Sequence, residues 1–133
     1  MFFGSKEGKR KVKAINKETL DLILEVSKDQ YPTEFAGILR QESGVITEVL
    51  LLPGTLSGGV SAIFQLHMLP IDFSVCGTVH SHPSGSYRPS RADLALFSHF
   101  GNTHIITARP YTYDSWQAYN HKGEKVDLDV VED

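Results

Sequence analysis

The residues best suited to chemistry lie in one short segment, "HSHPSGSYRPSRAD", at positions 80–93. His80 and His82 are separated by one residue, and successive side chains of a β-strand point to opposite faces of the sheet. If "VCGTVHSH" forms a strand, both imidazoles project from the same face, with their Cα atoms about 7 Å apart. Two imidazoles on one face can bind one metal ion, although a polar strand face that meets only water has the same pattern.

A carboxylate in the next predicted element supplies a third candidate ligand. The segment "SRADLALFSHFG" has the pattern of a helix, and in a helix that begins near Ser90, Asp93 falls on the apolar stripe of Leu96 and Phe97. A buried carboxylate is costly unless it is paired or bound to a cation. Two nitrogen donors and one oxygen donor that leave a fourth position open are typical of catalytic zinc. We therefore predict one zinc ion per chain, although copper or nickel could bind the same donors.

The spacing of Ser90 and Asp93 also fits a purely structural role. Ser-x-x-Asp at a helix start resembles a capping box, with Ser90 at the N-cap and Asp93 at N3. The cap alone explains neither the inward stripe nor the two histidines upstream. We therefore expect Asp93 to be a metal ligand together with His80 and His82.

The elements around this segment predict an α/β (α+β) fold, a mixed β-sheet flanked by about three helices. A first helix starts after its cap Asn16 and ends before Pro32. A short helix is predicted over 67–74, and the third helix begins at Ser90. The predicted strands cover 34–41, 45–53, 61–66, 75–82, 103–108, 115–120 and 124–131. The last two are expected to form a hairpin.

Composition limits what the protein can be. The 133 residues suffice for one domain, and 41% hydrophobic and 22% charged residues are typical of a globular chain. The net charge of -3 gives no general reason to bind nucleic acid or an anionic membrane. No apolar run approaches the ~20 residues of a membrane span. We expect neither kind of partner.

Cys76 is the single cysteine, which excludes an intrachain disulfide and favours a reducing, cytoplasmic location. Its distance of four residues from His80, about 13 Å along a strand, excludes it as a ligand of the same metal ion. The basic run "KEGKRKVK" lies in residues 1–14, which we predict to be a flexible N-terminal segment. Residues 15–133 are the predicted domain.

The spacing H-x-H-P-x6-S-x2-D resembles the signature of the JAMM (MPN+) zinc metalloproteases, most closely their short stand-alone archaeal members. The resemblance extends from about residue 15 to the C-terminus and implies an MPN-like domain. It singles out Glu34 in "YPTEFAGIL" as the general base and Ser90 as a donor to the developing oxyanion. It also implies the substrate and partner, which would be a ubiquitin-like modifier protein or its conjugates, cleaved at the (iso)peptide bond after a C-terminal Gly-Gly. The modifier tail would bind beside a strand edge within residues 55–66.

Other functions share parts of this motif. RadC-like chains carry a similar H-x-HPSG stretch, and a metallopeptidase that processes sulfur-carrier proteins would need the same ligands. A non-catalytic MPN scaffold typically lacks the metal ligands, whereas the whole set is present here. We therefore place the isopeptidase first and keep the others as alternatives.

Overall fold

The computed structural model describes residues 11–52 and 74–132, which form two helices and one eight-stranded sheet. The helices are α1 (Lys17–Gln30) and α2 (Arg91–Phe97). The strands are β1 (Ala14–Asn16), β2 (Ala36–Glu42), β3 (Val45–Leu51), β4 (Val75–His82), β5 (Thr103–Ala108), β6 (Trp116–Tyr119), β7 (Lys125–Val126) and β8 (Asp129–Val131). The predicted fold class is confirmed. In these two ranges no helix is long and apolar enough to cross a membrane.

Three predictions fall wholly or mainly on other residues. The strand over 61–66, the tail-binding edge over 55–66 and all of the helix over 67–74 except Ser74 lie outside the described residues. β1 begins at Ala14, and Val12 is already buried in the core. The proposed boundary between residues 1–14 and 15–133 stays a prediction.

α1 starts and ends where the sequence indicates. The Oδ1 atom of Asn16 accepts a hydrogen bond from the backbone N–H of Glu18 at 2.9 Å, which satisfies one of the free N–H groups at the helix start. Leu20 and Ile23 are fully buried and pack in one cluster with Val79 of β4 and Ile105 of β5. α1 therefore covers one face of the sheet.

The strand order is β7-β6-β5-β4-β2-β3-β1-β8, so that β4 lies near the middle of the sheet. β4 pairs antiparallel with β2, where Ala36 lies opposite His80, and parallel with β5, where Ala108 lies beside His82. β2 and β3 form the predicted hairpin around Ser43 and Gly44, whose φ values of 54° and 86° fit a two-residue type I′ turn. The two histidines therefore lie on a strand that is held from both sides.

The prediction of one C-terminal strand over 124–131 is wrong. β7 pairs with β6, whereas β8 pairs parallel with β1 at the opposite edge of the sheet. Three residue steps from Val126 to Asp129 span at most about 11 Å, so the sheet curls until its two edges nearly meet. Leu128, between the two strands, is partly buried against the same core as α1, whereas Val130 of β8 is exposed, so the burial does not continue the alternation that predicted a single strand.

α2 covers the other face of the sheet. Phe97 packs with Ile106 of β5 and Tyr119 of β6. The helix is shorter than predicted, because it ends at Phe97 and the chain leaves it through Gly101 at φ 89°. A Cβ atom at Gly101 would lie 2.3 Å from the carbonyl oxygen of Cys76, so only glycine fits.

Candidate metal centre

The end of β4 and the first turn of α2 bring three potential ligands together. Potential ligand atoms of His80, His82 and Asp93 all lie within 4.8 Å of one another. The Nε2 atom of His80 is 3.0 Å from Oδ1 of Asp93, and the Nε2 atom of His82 is 3.1 Å from Oδ2. Ligand atoms about 2.0–2.1 Å from a tetrahedral zinc ion are about 3.3 Å apart. Both nitrogen–oxygen distances are within a few tenths of an ångström of that value, so Asp93 and each imidazole are spaced as ligands of one zinc ion would be.

His80 provides the physical test of this fit. It is fully buried, and within residues 11–52 and 74–132 neither ring nitrogen has a partner with hydrogen-bond geometry. Its Nε2 atom approaches the Asp93 carboxylate without that geometry. Because buried polar atoms almost always have partners, an imidazole that instead faces a carboxylate is well suited to a cation between them.

The His82 ring is held from its other side. Its Nδ1 atom lies 3.0 Å from the carbonyl oxygen of Ser86, and an N–H donated there leaves Nε2 free as a ligand. Burial alone would lower the pKa of His82. Hydrogen bonds to Asp93 and to the Ser86 carbonyl, together with the charges of Asp93 and Glu34, outweigh burial and raise this pKa. The surroundings of the ring therefore favour a positive charge.

Asp93 takes part in the helix cap and the ligand set at once. Its Oδ2 atom accepts the backbone N–H of Ser90 at 2.9 Å, which completes a capping box. Burial raises the pKa of its carboxyl group, but the close approach of the His80 ring and the hydrogen bond with His82 outweigh that effect and hold the pKa below its usual range. The carboxylate is therefore ionised, as a metal ligand must be.

Ser90 is the N-cap of α2, as predicted. Its Oγ atom accepts the backbone N–H of Asp93 at 3.0 Å, and its side chain is exposed. In the described part of the chain this hydroxyl makes no further hydrogen bond, so its own hydrogen remains free to donate. The two roles considered for Ser90 are therefore compatible, since the cap uses a lone pair and an oxyanion would use the hydrogen. Its catalytic role stays a prediction.

Glu34 lies just before β2, on the face of the metal site. Side chains alternate along the chain here, and Phe35 is buried in the α1-side core, so Glu34 points the other way, as Ala36 does opposite His80. Glu34 is exposed, and its charge contributes to the raised pKa of His82. Its role as a base stays a prediction.

Comparisons with known proteins agree with this geometry. The family described as prokaryotic homologs of the JAB domain matches residues 16–119, most of the chain. This protein belongs to that family. The JAB-domain chain is 41% identical to a probable metalloprotease of Haloferax volcanii, over 92% of this chain and 82% of the relative.

Two solved structures match the JAB domain over nearly its whole length. A JAB1/MPN domain protein from Archaeoglobus fulgidus is 45% identical with a TM-score of 0.74, covering 90% of this chain and 99% of that one. A JAMM structure that presents a metalloprotease-like zinc site in the proteasome and signalosome is 42% identical with a TM-score of 0.72, covering 91% and 99%. The resemblance to JAMM proteins is confirmed. The protein is a JAMM-like metalloprotease with a site for one zinc ion.

Ser81 is a residue of this JAB domain that the sequence did not reveal. Its Oγ atom accepts the backbone N–H of Phe35 at 2.8 Å, and its own N–H donates to the Phe35 carbonyl at 2.9 Å. Ser81 thus ties the chain next to Glu34 to the strand that carries both histidines. A signal exists, because the residue between two histidines on one face of a strand must point to the opposite face, and a buried serine needs a partner.

Proposed function

We propose that this protein is a zinc-dependent isopeptidase that hydrolyses the (iso)peptide bond after the C-terminal Gly-Gly of ubiquitin-like modifier proteins. One observation carries the chemical part of the proposal: the convergent set of His80, His82 and Asp93, with the unpartnered His80 ring, lies beside the exposed carboxylate of Glu34. Three protein ligands leave a coordination position for water, as hydrolytic zinc sites require.

Each residue then has a separate task. A zinc ion bound to the three ligands would polarise the attacking water and lower its pKa towards ~7. Glu34 accepts the proton of that water and passes it to the leaving amine. Ser90 donates its hydroxyl hydrogen to the developing oxyanion while its oxygen continues to cap α2. No covalent acyl-enzyme is needed, and Cys76 takes no part, since burial raises its pKa to about 12.

The choice of substrate is supported by the JAMM resemblance. An extended tail that ends in two glycines can lie beside a strand edge and reach the metal without side chains in its way. The bond would join that tail to a lysine side chain of the conjugated protein. The cytoplasmic location and the absence of nucleic-acid and membrane partners are part of the same proposal and stay predictions.

The test is incubation of the zinc-loaded protein with conjugates of ubiquitin-like modifiers, with and without a chelator, with the products identified by mass. We expect cleavage after Gly-Gly that the chelator abolishes. Glu34→Ala should keep its zinc and lose ~10²-fold or more in kcat, since a proton acceptor is removed and not a ligand. The control is Glu42→Ala, an exposed glutamate at the other end of β2, which should cleave normally.

The outcomes separate the alternatives. Normal turnover by Glu34→Ala would exclude Glu34 as the base. If the zinc-loaded protein leaves Gly-Gly conjugates intact but cleaves peptide or sulfur-carrier substrates, the metallopeptidase chemistry holds and the modifier specificity is wrong. Zinc binding with no hydrolysis of any of these substrates would favour a scaffold.

A further inference from the structure

The segment that runs from the last residue of β4 to the start of α2 carries much of the metal site, and residues 83–90 of it belong to neither a helix nor a strand. This ligand segment, residues 82–90, contains His82, the Ser86 carbonyl that orients the His82 ring, and Ser90. Five of its nine residues are exposed. Its internal hydrogen bonds include the 3.0 Å contact between His82 Nδ1 and the Ser86 carbonyl and the 3.3 Å contact from the Ser86 N–H to Ser84 Oγ. Contacts with other elements of the fold are therefore needed to fix the position of the segment.

Tyr119 of β6 contacts the far part of the ligand segment. Its side chain is almost completely buried, at 2% exposure, and its hydroxyl donates to the carbonyl oxygen of Tyr87 at 2.6 Å. The Tyr119 ring stacks on Phe97 of α2, with the centroids 5.8 Å apart. Burial raises the pKa of Tyr119 to about 12, so the phenol remains a donor. Tyr87 directly follows Ser86, whose carbonyl orients His82.

Tyr111, in the turn after β5, contacts the near end of the segment. It is 3% exposed, and its hydroxyl donates to the backbone carbonyl of His82 at 3.2 Å. Its backbone has φ 62°, in the left-handed region that bulky residues rarely adopt. Such a conformation persists only where the surroundings enforce it. Here the Tyr111 N–H donates to the Ala108 carbonyl at 2.8 Å, and its ring packs edge-on against Tyr31.

We propose that Tyr111 and Tyr119 are positioning residues that hold the ligand segment at His82 and at Tyr87, and so fix His82 and the Ser86 carbonyl that orients its ring relative to Asp93. Both hydroxyls are donors to backbone carbonyls of the segment that joins the two histidines of β4 to the first turn of α2. Each phenol donates to a backbone carbonyl and not to a ligand side chain, so both act through the backbone. The expected change in zinc affinity depends only on the metal centre, whereas the expected change in kcat rests also on the proposed function.

The test compares Tyr119→Phe and Tyr111→Phe, which each remove one hydroxyl and keep the ring. The control is Tyr113→Phe, whose hydroxyl lies in the same turn as Tyr111 but contacts Asp21 on α1. Zinc affinity of the metal-stripped full chain is measured by competition with a chelator, and kcat and KM are measured on the zinc-loaded forms. Loosening the support of a metal ligand typically lowers affinity ~10-fold or more.

We expect Tyr119→Phe to lower zinc affinity by about tenfold and Tyr111→Phe by less, consistent with the longer hydrogen bond of Tyr111. kcat should fall while KM stays within twofold, because the site and not the substrate surface is displaced. Zinc affinities equal to that of Tyr113→Phe for both variants would overturn the proposal. If Tyr119→Phe fails to fold, Tyr111→Phe alone decides. Because zinc affinity is measured without substrate, failure of the cleavage assay leaves this result standing.

Discussion

His80 and His104 lie on neighbouring strands, and both are fully buried, yet their rings have opposite surroundings. The Nδ1 atom of His104 accepts the Thr78 hydroxyl at 2.7 Å, and its Nε2 atom donates to the Gly101 carbonyl at 3.2 Å. In the described ranges His80 has neither kind of partner and faces the Asp93 carboxylate instead. Burial alone therefore does not distinguish a structural histidine from a ligand, whereas hydrogen bonding does.

The electrostatic consequence for His104 follows from the same contacts. Its ring stacks on Phe97 with the centroids 4.4 Å apart, and burial lowers its pKa to about 4. The ring is therefore neutral in the folded protein at neutral pH, and both of its nitrogens are used within the fold. His80 is buried to the same extent, but its ring nitrogens are not used in hydrogen bonds within the described residues and are available to a metal ion.

The largest predicted effect separates the two histidines directly. His80→Ala should lower zinc affinity by about 10³-fold or more and abolish hydrolysis, because one of three protein ligands is lost. His104→Gln should bind zinc like the parent protein, but it should lower the free energy of unfolding by ~1–3 kcal/mol, since the amide replaces at most one of the two hydrogen bonds. Zinc affinity comes from chelator competition and stability from denaturant unfolding of the metal-free forms. Equal zinc losses in the two variants would contradict the distinction.

A smaller effect is expected at Ser90, which combines both situations in one hydroxyl. The Ser90 oxygen is used within the fold, because it accepts the hydrogen bond of the helix cap, and in this it resembles the His104 ring. The Ser90 hydroxyl hydrogen is available to a substrate, and in this it resembles the His80 ring. Ser90→Ala should lower the free energy of unfolding by ~1 kcal/mol through the cap, and kcat by ~10²-fold through the lost oxyanion donor. Ser90→Asp restores a capping oxygen but, when ionised, has no hydrogen to donate. If it recovers both stability and kcat, Ser90 acts only as a cap.

The sequence could predict the metal centre where the spacing is local. His80, His82 and Asp93 follow from strand alternation and from a helical stripe, both of which extend over a few residues. Glu34 was predicted only through the family resemblance. It is far from the histidines in the sequence, and the pairing of β2 with β4 brings it onto their side of the sheet. The hydrogen-bond partners that distinguish His104 from His80 include Thr78, which lies on another strand, so the sequence around each histidine does not predict them.

The fold shows the same limit. The cap of α1 and the hairpin of β2 and β3 are set by neighbouring residues, and both were predicted. The C-terminal strand was not, because the regular alternation up to Val130 carries no information about where the two edges of a curled sheet meet. That point is set by the pairing of β8 with β1, which lies at the other end of the described sequence.

The last prediction concerns the pH dependence of stability that His104 alone contributes. Its pKa is about 4 in the folded protein against ~6.5 in an unfolded chain. Above pH ~6.5 the ring is neutral in both states and the full stability is present. As the pH falls from ~6.5 towards 4, the unfolded chain takes up a proton that the folded protein excludes, so stability is lost. At pH 5 that loss amounts to about 2 kcal/mol.

His104→Gln isolates this contribution, because all other titrating groups are shared with the parent protein. We expect the free energy of unfolding of the metal-free parent to fall by about 2 kcal/mol more than that of the variant between pH 7 and pH 5. Denaturant unfolding at both pH values measures the difference. Parallel pH profiles would mean that the folded protein accepts a proton on His104. The ring would then be as open to a cation as that of His80, and hydrogen bonding would no longer separate the two.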